Sequence, residues 1–116
     1  MTRDPFGADL VAWGKAIELT TRGRVTGRPS VAFVGFIEEP DGSLLVAAGN
    51  TGAHWAKNLR ADPACLARAQ EEGRACVAEE LNGADKSRAV VELILRYGTP
   101  AETLGAGPAF RLRPSG

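Results

Sequence analysis

The sequence predicts a mainly β protein of the α+β class, in which six short antiparallel strands form a small barrel with flanking helices. Short runs rich in β-branched and aromatic residues recur along the chain, and most are separated by glycine-containing turns. Other segments instead place apolar residues at helical spacing. This hairpin-rich order favours an antiparallel barrel over a parallel sheet, and closure of a barrel removes exposed strand edges.

Length and charge limit the classes of function. At 116 residues the chain fits one domain, residues 1–116, which must supply the entire site, alone or with a second copy of itself. Fourteen Lys and Arg balance fourteen Asp and Glu, so no affinity for nucleic acid is expected. The sequence has no apolar run long enough to span a membrane and no signal-peptide core. A cytoplasmic protein without an integral membrane segment is therefore expected.

The first elements change from helical to strand periodicity. Residues 6–15 carry apolar side chains that suit an N-terminal helix covering one side of the core. Residues 16–21 and 31–37 then predict two strands, because β-branched and aromatic residues dominate them. The segment between these strands is expected to join them as a hairpin.

A strong turn signal, Glu39-Pro40-Asp41-Gly42, precedes a third predicted strand at residues 43–48. Residues 53–61 predict a short helix with Trp55 and Leu59 four apart on one face. Trp55 is expected to anchor this helix in the core, and Asn58 and Leu59 to attach it to the barrel. The helix ends before Pro63, because proline disfavours α geometry in the preceding residue.

The second half predicts another hairpin, a longer helix and a closing strand. Residues 64–70 and 74–80 flank Glu71-Glu72-Gly73, which indicates a turn between two strands. Residues 84–97 return to helical spacing, and residues 109–113 alternate with a period of two. A loop rich in glycine and proline separates these last two elements.

The two cysteines and the single histidine do not indicate a metal site. Cys65 and Cys76 lie in the paired strands, where a cysteine usually acts as a small buried hydrophobe. A disulfide is not expected in a reducing cytosol. His54 has no Cys or His at ligand spacing, so no metal is expected.

An arginine-rich segment, which we name the arginine loop (residues 22–28), joins the first two predicted strands. With its flanks it forms Leu19-Thr20-Thr21-Arg22-Gly23-Arg24-Val25-Thr26-Gly27-Arg28-Pro29. Glycines let backbone N–H groups converge, and arginines bind phosphate or carboxylate through charge-assisted contacts. From these residues alone, two interpretations are open: the anionic end of a cofactor site, or a turn with solvated arginines.

Three segments in register carry a resemblance to a known family. They are the arginine loop with its flanks, then His54-Trp55-Ala56-Lys57-Asn58-Leu59-Arg60-Ala61-Asp62-Pro63, and the closing Phe110-Arg111-Leu112-Arg113-Pro114. Together, across residues 16–114, they resemble the deazaflavin-dependent nitroreductase family of the flavin/deazaflavin oxidoreductase superfamily, found mostly in actinobacteria. The resemblance implies a six-stranded split β-barrel.

The same resemblance implies a cofactor and a reaction. The cofactor is coenzyme F420, a 5-deazaflavin with a phosphate and a polyglutamate tail, which delivers a hydride to a small acceptor such as a quinone, an enone or a nitro compound. The residues implied at the phosphate and tail are Arg22, Arg24, Val25, Thr26, Gly27 and Arg28. The residues implied along the ring are Ala48, Gly49, Asn50, Thr51, Gly52 and Ala53.

Tyr97 and Val25 qualify this resemblance. Tyr97 is the single tyrosine, and the resemblance implies a catalytic position near the substrate pocket; packing of a helix end on the barrel is the alternative. Val25 stands where many family members have lysine. The loop at residues 98–108 lacks the additional tyrosines of the nitroimidazole-reducing members, which weakens the case for a nitro compound as acceptor.

Two alternatives remain from the resemblance. Related branches of the superfamily bind FMN, FAD or haem on the same fold, although the arginine loop favours the polyanionic deazaflavin. A non-catalytic barrel that carries a cofactor or an apolar ligand is the other alternative. The resemblance admits either a monomer or a homodimer.

Overall fold

The computed structural model describes residues 16–49, 52–69, 72–97 and 107–115, so the predicted helix at residues 6–15 lies outside the described residues. The described residues form seven strands and two helices. The strands are β1 (Ile17–Arg22), β2 (Pro29–Val34), β3 (Ile37–Glu38), β4 (Leu44–Ala47), β5 (Ala64–Ala69), β6 (Glu72–Leu81) and β7 (Ala109–Pro114). The helices are α1 (His54–Ala61) and α2 (Gly83–Tyr97). No helix in these ranges is long and apolar enough to cross a membrane.

All neighbouring strands pair antiparallel in one curled sheet with the order β2-β1-β5-β6-β7-β4-β3. Every strand except β3 contributes to one interior cluster, which we name the barrel core. Its members are Ile17, Leu19, Val34, Phe36, Leu44, Val46, Ala48, Ala56, Leu59, Ala67, Cys76, Phe110 and Leu112. Strands that are distant in the sheet share this core, so the sheet must curl into a half-barrel. The predicted antiparallel split β-barrel with flanking helices is confirmed.

The two helices cover different surfaces of the sheet. Leu59 of α1 is buried in the barrel core, and the Trp55 ring lies 6.0 Å from the Phe110 ring in a tilted arrangement. Both residues therefore anchor α1, as predicted. On the other face of β4, Leu45 packs with Leu93 of α2 in a second cluster. Because β4 is buried on both faces, its four residues are all apolar.

One predicted strand, residues 31–37, is interrupted, which makes seven strands instead of six. β2 ends at Val34 and β3 begins at Ile37. Between them, the Phe36 N–H donates to the Tyr97 hydroxyl at 3.0 Å, and that hydroxyl donates to the Phe36 carbonyl at 3.2 Å. A Cβ on Gly35 would lie 3.1 Å from the Tyr97 ring carbons. Tyr97 thus occupies the backbone groups that a continuous strand would use in its ladder.

The β5–β6 hairpin is present as predicted, but β6 begins earlier than expected. Glu72 pairs with Ala69 and Gly73 pairs with Arg68, so both residues belong to the ladder and not to a turn at residues 71–73.

Cys65 and Cys76 face each other across this hairpin as free thiols. Cys76 is buried in the barrel core and Cys65 packs against it, as expected for small hydrophobes. Burial raises the pKa of Cys65 to about 12, from an ordinary value of 9.0, and the neighbouring Cys76 adds to the shift. Burial also raises the pKa of Cys76.

We therefore expect both thiols to react slowly with an aromatic disulfide reagent in the folded protein. The thiolate is the nucleophile, and a pKa of about 12 in place of 9.0 lowers the thiolate fraction of Cys65 on the order of a thousandfold at pH 8. The labelling rate of the folded protein should still rise with pH above 9, where the rate in urea levels off. The Cys65→Ala and Cys76→Ala variants show which labelling rate belongs to which thiol. Equal rates in buffer and in urea at pH 8 would contradict the burial of the pair.

Candidate functional site

The arginine loop is an ordered turn between β1 and β2. Arg22 pairs with Pro29 at its base, and the Gly23 N–H donates to the Arg28 carbonyl at 2.8 Å. The Gly27 N–H donates to the Gly23 carbonyl at 2.8 Å, and Gly27 has φ +74°, in the left-handed region that favours glycine. The Arg28 N–H donates to the Thr26 Oγ1 at 3.2 Å. The predicted hairpin is confirmed.

A buried asparagine of α1 holds this loop. The Asn58 Oδ1 accepts from the Arg24 backbone N–H at 3.2 Å and from the Arg24 guanidinium at 2.8 Å. The Asn58 Nδ2 donates to the Thr21 Oγ1 at 3.0 Å. Asn58 and Thr21 are each only 2% exposed. The predicted attachment of α1 to the barrel through Asn58 is thus confirmed, and it extends to the arginine loop.

His54 makes a second contact between α1 and the loop. Its Nδ1 lies 3.3 Å from one terminal nitrogen of Arg24, and its carbonyl accepts from the other at 3.5 Å. A guanidinium can only donate, so in this contact Nδ1 is the acceptor. His54 and Asn58, which lie on successive turns of α1, therefore hold the Arg24 side chain in place.

A groove of about 340 Å³ lies between the arginine loop and the start of α1. Its lining consists of Gly23, Arg24, Val25, Thr26, Arg28, Pro29, Ser30, His54 and Asn58. No side chain caps the first turn of α1, and no acidic residue lies there. The N-terminal partial positive charge of α1 is therefore uncompensated by side chains at one end of a groove bordered by arginines. This volume is at the low end of ligand pockets, which suits one end of a large ligand.

The arginines of the loop differ in charge environment from other arginines of the protein. Six arginines pair with carboxylates: Arg60, Arg68, Arg74, Arg88, Arg111 and Arg113. Within the described ranges, Arg22, Arg24 and Arg28 form no ion pair, and the side chains of Arg22 and Arg28 form no hydrogen bond. The loop thus concentrates uncompensated positive charge beside the groove, which is the chemistry that binds phosphate or carboxylate.

The predicted tail-binding residues all lie in this loop. Arg24, Val25, Thr26 and Arg28 line the groove. Arg22 and Gly27 do not line the groove; the Arg22 guanidinium lies 4.0 Å from the position of a Cβ on Gly27, along the same loop. The Val25 side chain is 86% exposed, which leaves it at the solvent edge.

The predicted ring-binding residues do not line this groove. Ala48 is buried in the barrel core, Gly49 and Ala53 are half-buried, and Gly52 is exposed. Asn50 and Thr51 lie outside the described residues. These positions stay a prediction from the resemblance.

Tyr97 lies at the end of α2, where its hydroxyl both accepts from and donates to the backbone of Phe36. Its ring packs with the second cluster and over Gly35. These contacts correspond to the packing interpretation of Tyr97, and the catalytic role stays a prediction.

Five residues of the groove were not among the predicted site residues: Gly23, Pro29, Ser30, His54 and Asn58. His54 and Asn58 are four apart in α1, and this spacing places them on one helical face. The sequence does carry that signal. It does not show that this face meets the arginine loop, because their contact joins residues 30 and 34 positions apart.

Comparison with known proteins identifies a family for this chain. Residues 6–100 match the model of the F420H(2)-dependent quinone reductase family. No curated protein matches the sequence.

Several solved structures share the fold. HutZ, the heme storage protein of Vibrio cholerae, is 20% identical with a TM-score of 0.72, and the match covers 100% of this chain and 92% of HutZ. The F420-H2 dependent reductase FDR-A is also 20% identical with a TM-score of 0.72, over 85% of this chain and 94% of FDR-A. Protein Atu2129 of Agrobacterium tumefaciens, of unknown function, is 19% identical with a TM-score of 0.77, over 97% of this chain and 53% of its own. At these identities the similarity concerns the fold alone.

Proposed function

The chain belongs to the F420H(2)-dependent quinone reductase family, and from this premise we propose that it uses F420 to reduce a small organic acceptor, with a quinone as the first candidate. The observation that carries the proposal is the uncompensated charge of the arginine loop. The guanidinium groups of Arg22 and Arg28 have no ion-pair or hydrogen-bond partner among the described residues, although six other arginines pair with carboxylates. A ligand with a phosphate and several carboxylates fits such a site.

The residues of the loop have separate tasks in this proposal. Arg22 and Arg28 bind the phosphate and the tail carboxylates, and the Thr26 hydroxyl, whose oxygen already accepts from Arg28, can donate its proton to the same ligand. The start of α1 adds its backbone dipole at the other side of the groove. Bound F420H2 supplies the hydride. What the chain contributes at this end is affinity and orientation of the ligand.

The hydride acceptor is the second part of the proposal. A quinone follows from the family, and an enone is the next candidate. A nitro compound is less favoured, since residues 98–108 carry none of the additional tyrosines of the nitroimidazole-reducing members. FMN and haem serve as comparison ligands, because related split barrels bind them.

Titration of the purified protein with F420, FMN and haem tests the cofactor. We expect tight binding of F420 and weak binding of FMN, which has a single phosphate and no glutamate tail for the arginine loop.

A second experiment tests the acceptor. A quinone, an enone and a nitro compound are each added with F420H2, and oxidation of the deazaflavin is followed by absorbance. Binding of FMN or haem in preference to F420 would contradict the proposal, and F420 binding without oxidation by any acceptor would indicate a carrier.

A further inference from the structure

We propose that Asn58 is a positioning residue for the arginine loop and that the three arginines divide the work, with Arg24 holding the loop and Arg22 and Arg28 binding the ligand. The inference rests on the proposed function for the identity of that ligand. Its structural part does not depend on any ligand, since it concerns contacts within the chain.

The first argument is that the Asn58 amide uses three of its four hydrogen-bonding positions within the chain. Its oxygen accepts two hydrogen bonds from Arg24, at 3.2 Å and 2.8 Å, and its nitrogen donates to Thr21 at 3.0 Å. The Arg24 groups are obligate donors, so the orientation of the amide is determined by its partners. The Asn58 side chain is almost completely buried, its hydrogen bond to Thr21 is buried and its two hydrogen bonds with Arg24 are partly buried, which limits competition by water.

The second argument is that Arg24 is already engaged. Its backbone N–H and its guanidinium both donate to Asn58, and the guanidinium also contacts the carbonyl and the Nδ1 of His54. Arg22 and Arg28, by contrast, have free guanidinium groups among the described residues. Three of the five N–H donors of the Arg24 guanidinium are thus used inside the chain, whereas within the described ranges all five of Arg22 and of Arg28 are available to a ligand.

The third argument is that a neutral amide suits this position better than the alternatives. A leucine would leave the Thr21 hydroxyl and the Arg24 N–H without their buried partner. An aspartate would keep an acceptor for Arg24 but would add a negative charge beside an anion site. Asparagine accepts from Arg24 and donates to Thr21 without reducing the positive charge of the groove.

The first test needs no ligand and uses amide hydrogen exchange, followed by NMR. In Asn58→Leu we expect the Arg24 amide to exchange at least about tenfold faster than in the wild type, because its acceptor is lost. In Asn58→Asp the amide should stay protected, since a carboxylate oxygen still accepts. Asn82→Leu, the same change at an exposed asparagine, is the matched control. Equal exchange in Asn58→Leu and the wild type would overturn the positioning role, and so would loss of protection in Asn58→Asp.

The second test measures the Kd of F420 in single and double variants. Asn58→Leu and Arg24→Ala should each raise the Kd about tenfold, and the double variant should be no weaker than either, because both act through one contact. Arg22→Ala should also reduce the dependence of the Kd on salt more than Arg24→Ala does, because only Arg22 is proposed to contact the ligand. Additive effects, or an equal reduction of the salt dependence in the two variants, would show that Arg24 binds the ligand directly. If the wild type fails to bind F420, the proposed function fails, and the exchange experiment still decides the role of Asn58.

Discussion

Replacing Arg22 and Arg28 together by alanine should raise the Kd of F420 on the order of a hundredfold, about tenfold for each lost charge-assisted contact. Arg28 lines the groove and Arg22 lies in the same loop, and neither guanidinium has a carboxylate partner in the described ranges. Their loss should therefore reduce affinity without exposing an unpaired carboxylate elsewhere. Fluorescence titration of the deazaflavin measures the change.

The matched control removes two other exposed charges, through Arg68→Ala and Arg113→Ala. These arginines are 55% and 52% exposed and each pairs with a glutamate, so the net charge of the chain changes by the same amount. We expect less than about a twofold change in Kd, because exposed charges away from the site are screened. Equal losses in both double variants would mean that the whole charge of the protein, and not the arginine loop, attracts the ligand.

Leu93→Ala should lower the free energy of unfolding by roughly 2–5 kcal/mol, a large part of the stability of a domain of this size. Leu93 is 0% exposed and packs with Leu45 and Leu81 between α2 and the sheet. Truncation removes buried apolar contacts and leaves a cavity that a β-sheet and a helix cannot close without moving. Urea unfolding followed by circular dichroism measures the loss.

Leu95→Ala is the control on the same helix. Leu95 is 80% exposed, so the identical change should alter the free energy of unfolding by less than about 0.5 kcal/mol. Similar losses for Leu93→Ala and Leu95→Ala would mean that helix propensity, and not burial against the sheet, determines the effect.

Much of the fold was predictable from local patterns. The strands and helices follow from residue periodicity, and the β3–β4 turn follows from its own residues: the Ser43 N–H donates to the Asp41 carboxylate at 2.9 Å, a contact between near neighbours. The break between β2 and β3 was not predictable in this way, because it depends on a hydroxyl that lies 61 positions away in the sequence.

In the arginine loop, some properties follow from the local sequence and others from the folded structure. That three arginines, two glycines and a threonine share one short hairpin follows from the residues alone, because composition and turn chemistry are local properties. That Arg24 is bound by Asn58, while the guanidinium groups of Arg22 and Arg28 stay free among the described residues, depends on the folded arrangement. The physical reason is that hydrogen-bond partners are assigned by packing of α1 against β1, and residues equivalent in type become different in function once one of them has a buried acceptor.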